Sequence, residues 1–137
     1  MNVLFDNVDF GSSSGPNAFA GKLAKAFSEL DINAVNNISK SQKIDIQLSF
    51  IASSYKVAPI VQRLDGIYFN SDQDYQGLNT PICETFHAAS AVIYQSAFNK
   101  KLTEKWFGEH ENGNVIHNGT CLDVISTIQP MEHPTLD

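Results

Sequence analysis

The sequence is poor in basic residues, and this shortage excludes one class of partner. Nine lysine and arginine residues stand against fifteen aspartate and glutamate residues, which gives a formal net charge of −6. Nucleic-acid-binding domains usually carry a basic patch. Here the cations are scattered, and the densest cluster is the pair Lys100-Lys101. We therefore expect no nucleic-acid partner.

Cysteines and long apolar runs are also scarce. Cys83 and Cys121 are too few for a disulfide framework. No apolar run approaches the roughly 18 residues of a membrane-spanning helix, and the first residues lack the pattern of a signal peptide. We expect a cytoplasmic protein with reduced thiols. Cys83 and His87 have helical spacing, but two ligands without a third do not form a metal site, so we expect neither metal nor cofactor.

Two nucleotide-binding fingerprints are missing from the segment that would carry them. Residues 9–16 hold two glycines and three serines between a predicted strand and a predicted helix. Gly11 and Gly15 do not fit G-x-G-x-x-G, and the stretch from Gly15 to Lys22 does not fit a P-loop. A helix N-terminus preceded by N–H groups and hydroxyls suits a phosphate or a sugar hydroxyl. An ordinary solvated loop explains the spacing equally well.

What the sequence does contain is a series of short apolar runs separated by amphipathic segments. About six runs are predicted strands, at residues 3–8, 32–35, 44–50, 58–61, 91–94 and 114–117. Strands that alternate with helices predict an α/β fold, here a Rossmann-like three-layer domain with a mainly parallel sheet. Only about seven residues separate the third run from the fourth, whereas a parallel crossover usually needs roughly ten to twelve.

Three helices are predicted between these strands. The first covers residues 16–30, the second begins at Thr80 and Pro81, and the third is capped by Ser96 and stopped by Gly108. Apolar residues at helical spacing in the first and third helices are expected in the core, namely Phe19, Leu23, Phe27, Phe98, Leu102 and Trp106. Residues 1–120 are predicted to form the domain, and residues 121–137, with Pro130 and Pro134, a linker or C-terminal tail.

The stretch APIVQRLDGIYFN, Ala58 to Asn70, is the candidate centre of the site. It reads as a buried strand that opens into a loop, and ligands bind at the carboxyl ends of parallel strands. Asp65 there could accept a hydrogen bond from a sugar hydroxyl or orient an acceptor, and it could equally pair with Arg63 as a loop carboxylate. Arg63 could bind a phosphate, hold Asp65 or serve the structure alone.

Three segments together resemble the N-terminal domain of a GT-B glycosyltransferase of the family 4 type. They are the Gly/Ser loop that leads into the Pro16 helix, the stretch IVQRLDGIYFN, and the run that begins VIYQSAFNKK at Val92 and ends VIHNG at Gly119. The resemblance covers most of the chain, and the segments occur in the family's order.

The resemblance implies half of a retaining, metal-independent transferase that moves a sugar from a nucleotide-sugar donor to an acceptor hydroxyl. This half would bind the acceptor sugar or glycan, and the donor would bind to a C-terminal domain that the sequence does not contain. The chain alone would then be inactive, and peripheral membrane association is a further expectation. A non-catalytic glycan-binding or protein-interaction module is the alternative, and a flavodoxin-like binder of phosphorylated ligands is a weaker one.

The resemblance also assigns roles to particular residues. Asp65 is the implied catalytic residue, at a place where the family often has a histidine, so a contact made by imidazole elsewhere would be made by a carboxylate. The implied substrate-binding residues lie in the Gly/Ser loop, beside Asp65 and after the last strand, and they are Gly11, Ser12, Ser13, Gly15, Arg63 and Asn118.

Overall fold

A computed structural model of the chain describes residues 1–39, 41–119 and 122–129. The predictions made for Cys121, Pro130 and Pro134 lie outside these residues. In chain order the described elements are β1 (Asn2–Asp6), α1 (Gly15–Ser28), β2 (Asn33–Val35), β3 (Ile46–Phe50), β4 (Ile60–Leu64), α2 (Tyr75–Ala88), β5 (Ala91–Tyr94), α3 (Ala97–Phe107), β6 (Gly113–Val115) and α4 (Leu122–Thr127).

The strands form one sheet in the order β2-β1-β3-β4-β5-β6, and every described pair is parallel. The predicted α/β fold with a parallel sheet is therefore confirmed. The chain reverses its direction across the sheet between β1 and β3, and such a switch point is a usual ligand position in open α/β sheets.

Helices pack on both faces of the sheet. On one face, α1 packs against a cluster that contains Val3, Phe5 and Phe50. On the other face, α2 and α3 pack against a second cluster that contains Leu64 and Tyr94. Alternate residues of a strand point to opposite faces, so this division gives the three layers of a Rossmann-like domain.

Strand β4 is longer than the apolar run that predicts it. The predicted strand ends at Val61, whereas β4 continues to Leu64. The polar Gln62 fits inside because its Nε2 donates to the backbone oxygens of Ile51, at 2.6 Å, and Ile82, at 3.0 Å. The strand therefore includes Arg63, which the sequence pattern places in a loop. The nine-residue connection from β3 to β4 contains no helix, yet the two strands are parallel.

Helix α2 also begins earlier than predicted. It is capped by Asp74, whose Oδ1 accepts from the Gly77 N–H at 3.0 Å, and Pro81 lies inside the helix instead of in its first turn. Gly77 is required by this cap, because a Cβ there would lie 2.3 Å from Asp74 Oδ2. The polar stretch before Thr80 is thus partly helical, and the predicted start of the helix at Thr80 and Pro81 is wrong.

In α3 the predicted ends are confirmed, but of the predicted core residues only Leu102 packs against the core, where it is partly buried. Ser96 Oγ accepts from the Asn99 N–H at 3.1 Å, and Gly108 ends the helix with φ of 91°. Phe98 and Trp106, however, are 70% and 50% exposed. The buried face instead contains Asn99 and Thr103, which satisfy each other by a hydrogen bond of 3.0 Å.

Tyr94 should make the folded protein less stable at alkaline pH. Its side chain is fully buried, its hydroxyl has no hydrogen-bond partner, and burial, followed by the charge of Glu104, raises its pKa to about 12. An unfolded tyrosine titrates near pH 10, so the folded state keeps a proton that the unfolded state loses. We expect stability to fall by about 2 kcal/mol from pH 10 to pH 12.

The check is urea unfolding at each pH with Tyr94→Phe as the comparison. This variant removes the titrating hydroxyl and leaves no hydrogen bond broken, so its stability should depend less on alkaline pH. Identical alkaline profiles for the two proteins would contradict the assignment of the proton to Tyr94.

Candidate functional site

Arg63 is the only arginine in the chain, and it is 5% exposed at the carboxyl end of β4. The carbon of its guanidinium lies 3.9 Å from the ring centroid of Phe19 and 5.6 Å from that of Phe50. A guanidinium stacked on aromatic faces is attracted to them and held flat. The fold therefore fixes this cation at the edge of the sheet where α/β domains bind ligands.

The two ends of the guanidinium are hydrogen-bonded to different parts of the chain. Nη1 donates to Asp65 Oδ1, and this contact is also an ion pair. Nη2 donates to Asn118 Oδ1 at 2.8 Å. Asn118 follows β6, which is separated from β4 by β5. Three of the residues predicted from the sequence thus lie together in the structure, and we name them the Arg63 cluster.

Exposure within the Arg63 cluster decreases from Asn118 to Arg63. Asn118 is exposed, the Asp65 side chain is 29% exposed and the Arg63 side chain 6%. Burial lowers the pKa of the Arg63 guanidinium, and the charge of Asp65 opposes that change. Arginine remains protonated in proteins, so the cluster presents a carboxylate and an amide to solvent with a fixed cation behind them.

The predicted Gly/Ser loop lies at the same edge, after β1, but its hydrogen bonds in the described structure are local. The Asp9 carboxylate accepts from the Gly11 N–H at 2.8 Å, and the Asp9 carbonyl accepts from the Ser12 N–H at 3.1 Å. Ser14 Oγ accepts from the Asn17 side chain at 2.9 Å and does not cap a backbone N–H of α1. The N–H groups of Gly11 and Ser12 therefore already donate hydrogen bonds within the loop, and the Asp9 carboxylate lies beside them.

The loop is connected to the Arg63 cluster through α1. Phe19, which lies beneath the guanidinium, is four residues after Gly15 at the start of that helix. The remaining loop residues that the sequence predicts, Ser13 and Gly15, are free of side-chain contacts to the cluster among the described hydrogen bonds. The structure thus places the loop near the cluster without joining the two.

A second polar group, which the sequence pattern did not predict, lies at the switch point between β1 and β3. Asp6 is 5% exposed, and its Oδ2 accepts from Gln47 Nε2 at 2.9 Å and from Ser49 Oγ at 3.1 Å. Asp6 also lines a cavity of about 480 Å³ with Ser53 and Glu84 on the side of α2. The available signal was the polar alternation of Gln47 and Ser49 along β3, paired with an aspartate that ends β1.

The histidines contribute little to this site. His117 Nδ1 lies 3.1 Å from the Gln95 carbonyl oxygen, and the residue is exposed. Within the described ranges, no three His, Cys, Asp or Glu side chains group as a metal site. No helix of the described chain is long and apolar enough to cross a bilayer.

The fold and the Arg63 cluster define a Rossmann-like α/β domain with a polar site at the carboxyl edge of its sheet. Comparisons with protein-family models, with curated proteins and with solved structures found no match to the chain. The geometry of the site is therefore the basis for the function proposed below.

Proposed function

We propose that the chain is the acceptor-side domain of a GT-B, family 4-like glycosyltransferase. In this proposal the acceptor hydroxyl binds at the Arg63 cluster, and the nucleotide-sugar donor is held by a further domain. The protein would work in the cytoplasm, where nucleotide sugars are available to it. Asp65 would accept the acceptor hydroxyl's hydrogen bond, and Asn118 would donate one from its Nδ2.

One observation carries the proposal, namely the placement of the sole arginine. A buried guanidinium fixes a carboxylate and an amide from distant parts of the chain at one edge of the sheet. Sugar hydroxyls both donate and accept hydrogen bonds, so a carboxylate beside an amide N–H is a suitable pair of partners for them. A site held in advance by its supporting contacts also loses less entropy on binding.

The electrostatics favour a sugar acceptor over a nucleotide at this half of the cleft. Arg63 is already paired with Asp65, and the Gly/Ser loop contains the Asp9 carboxylate. The chain carries a formal charge of −6. A phosphate would meet these carboxylates with little free positive charge to offset them, whereas an uncharged hydroxyl would not be repelled.

The variant Asp65→Ala tests this role. We expect it to weaken binding of a sugar acceptor at least tenfold, because the carboxylate that accepts the hydroxyl is lost. Stability should fall by about 2 kcal/mol, because the buried Arg63 guanidinium loses its ion pair but keeps its contacts with Asn118 and the Phe19 ring. The measurement is calorimetric or NMR titration with a panel of hexoses and disaccharides, together with urea unfolding.

Asp72→Ala is the matched control, because Asp72 is an exposed aspartate in the loop that follows the site. It should bind as the unmodified chain does. If Asp65→Ala unfolds the protein while Asp72→Ala does not, Asp65 is structural and the site assignment fails.

The proposal further predicts that the chain alone does not transfer sugar. Incubation with nucleotide sugars and the sugars that bind should give no product above the rate without protein, because in this proposal the donor is held by a further domain. A measurable transfer rate from the purified chain would contradict the proposal that the acceptor and the donor are bound by two different domains. Sugar binding that persists without transfer after a donor domain is supplied would favour the non-catalytic glycan-binding module.

A further inference from the structure

The sheet face that carries α1 also carries an open apolar groove of about 340 Å³. Its walls include Leu23 of α1, Val61 of β4, Ile93 of β5 and Ile116 after β6, and Arg63 and Asn118 border the same space. We call this space the α1-side groove. It is lined by side chains of α1 and of the strands β1, β3, β4 and β5.

The α1-side groove marks a place where a helical layer is incomplete. Parallel sheets are normally covered on both faces, and here α2 and α3 cover one face. On the other face α1 packs over the strands near β1. Ile93 is only partly buried and Ile116 is 56% exposed, so no helix in the described part of the chain covers the β5–β6 side of this face.

Helix α4 has the apolar side that such a cover needs. Leu122, Ile125 and Ile128 are 76%, 47% and 66% exposed, and none of the described residues that line the groove belongs to α4. Ile128 continues the helical turn, since its N–H donates to the Ile125 oxygen at 3.1 Å. At about 100° per residue these three side chains fall within about 120° of one another around the helix.

The groove lies within reach of α4. Three residues separate Asn118, which lines the groove, from Leu122, so α4 begins at most about 14 Å from Asn118. Ile116 and His117 also line the groove, which means that the chain already runs along it before α4. We propose that α4 of the same chain docks its apolar side in the α1-side groove and completes the layer that α1 begins.

The docked helix would lie beside the Arg63 cluster, because Arg63 and Asn118 border the groove. The inference does not depend on what the cluster binds. It concerns which segment covers the apolar face, and sugar titrations do not test it.

The test is the rate at which a cysteine in the groove reacts with N-ethylmaleimide. Ile93→Cys is introduced into the full chain with Cys83→Ser and Cys121→Ser, so that it is the only thiol. Adding Ile125→Asp should raise the rate at least tenfold, because a carboxylate disfavours burial of α4. Thr127→Asp, on the opposite side of the helix by its angular position, should change the rate less than twofold.

Docking within one chain must also be independent of protein concentration. Equal rates in the Ile125→Asp and Thr127→Asp proteins would overturn the proposal. Protection that increases with concentration, accompanied by a dimer in sedimentation, would also overturn it, because a second copy would then fill the groove. If Ile93→Cys does not fold, Val61→Cys places the thiol elsewhere in the groove and the same comparison applies.

Discussion

Replacing Arg63 with methionine should reduce sugar binding at least thirtyfold and lower the free energy of unfolding by about 2 kcal/mol. Arg63 holds both Asp65 and Asn118, so without it neither side chain is fixed for a ligand. A thirtyfold loss corresponds to about 2 kcal/mol of binding free energy. Methionine keeps an aliphatic side chain over Phe19, so most of the packing survives while the charge and its hydrogen bonds are lost.

Binding and stability must be measured separately for this variant, by sugar titration and by urea unfolding. Lys25→Met is the control, because Lys25 is an exposed cation near the end of α1, and it should change neither quantity appreciably. Arg63→Lys keeps the charge but not the two-ended geometry, so it should recover only part of the binding. If Arg63→Met binds sugar with unchanged affinity, the Arg63 cluster is not part of the binding site.

The second large effect is expected at Gln47, which lies far from any predicted site residue in the sequence. Its Nε2 donates to Asp6 at 2.9 Å and to the Tyr55 carbonyl at 3.0 Å, and its Oε1 accepts from the Val57 N–H at 3.0 Å. Gln47→Leu should lower the free energy of unfolding by about 3 kcal/mol, because a buried carboxylate loses a donor and a backbone N–H loses its acceptor.

Urea unfolding of Gln47→Leu beside Gln73→Leu tests this expectation. Gln73 is exposed in the loop before α2, so its replacement should cost less than about 0.5 kcal/mol. If Gln47→Leu proves as stable as the control, the hydrogen bonds around Asp6 contribute little to the fold. The connection from β3 to β4 would then be held by its apolar contacts.

The layered fold was predictable because its signals are local. Short apolar runs, the Ser96 cap and the stop at Gly108 follow from residue type and spacing, and the structure confirms them. The errors arise where tertiary contacts override those signals. Phe98 and Trp106 have helical spacing but lie on the exposed side of α3, because the buried side is filled by the polar pair Asn99 and Thr103.

The site was predictable in part. An aspartate and an arginine near the end of an apolar run indicate the carboxyl edge of a strand, and the structure places both there. The link from Arg63 to Asn118 depends on strand order and crosses 55 positions of sequence, so spacing alone could not reveal it. Asp6 and Gln47 were missed for the same reason, since only the pairing of β1 with β3 brings them together.

Backbone-amide NMR titration with the sugar panel tests most directly whether the Arg63 cluster binds a sugar. We predict shifts concentrated at residues 11–15, 65–70 and 117–119, and their loss in Asp65→Ala but not in Asp72→Ala. Shifts centred at the opposite edge of the sheet, or the same shifts in the Asp65→Ala protein, would contradict the claim.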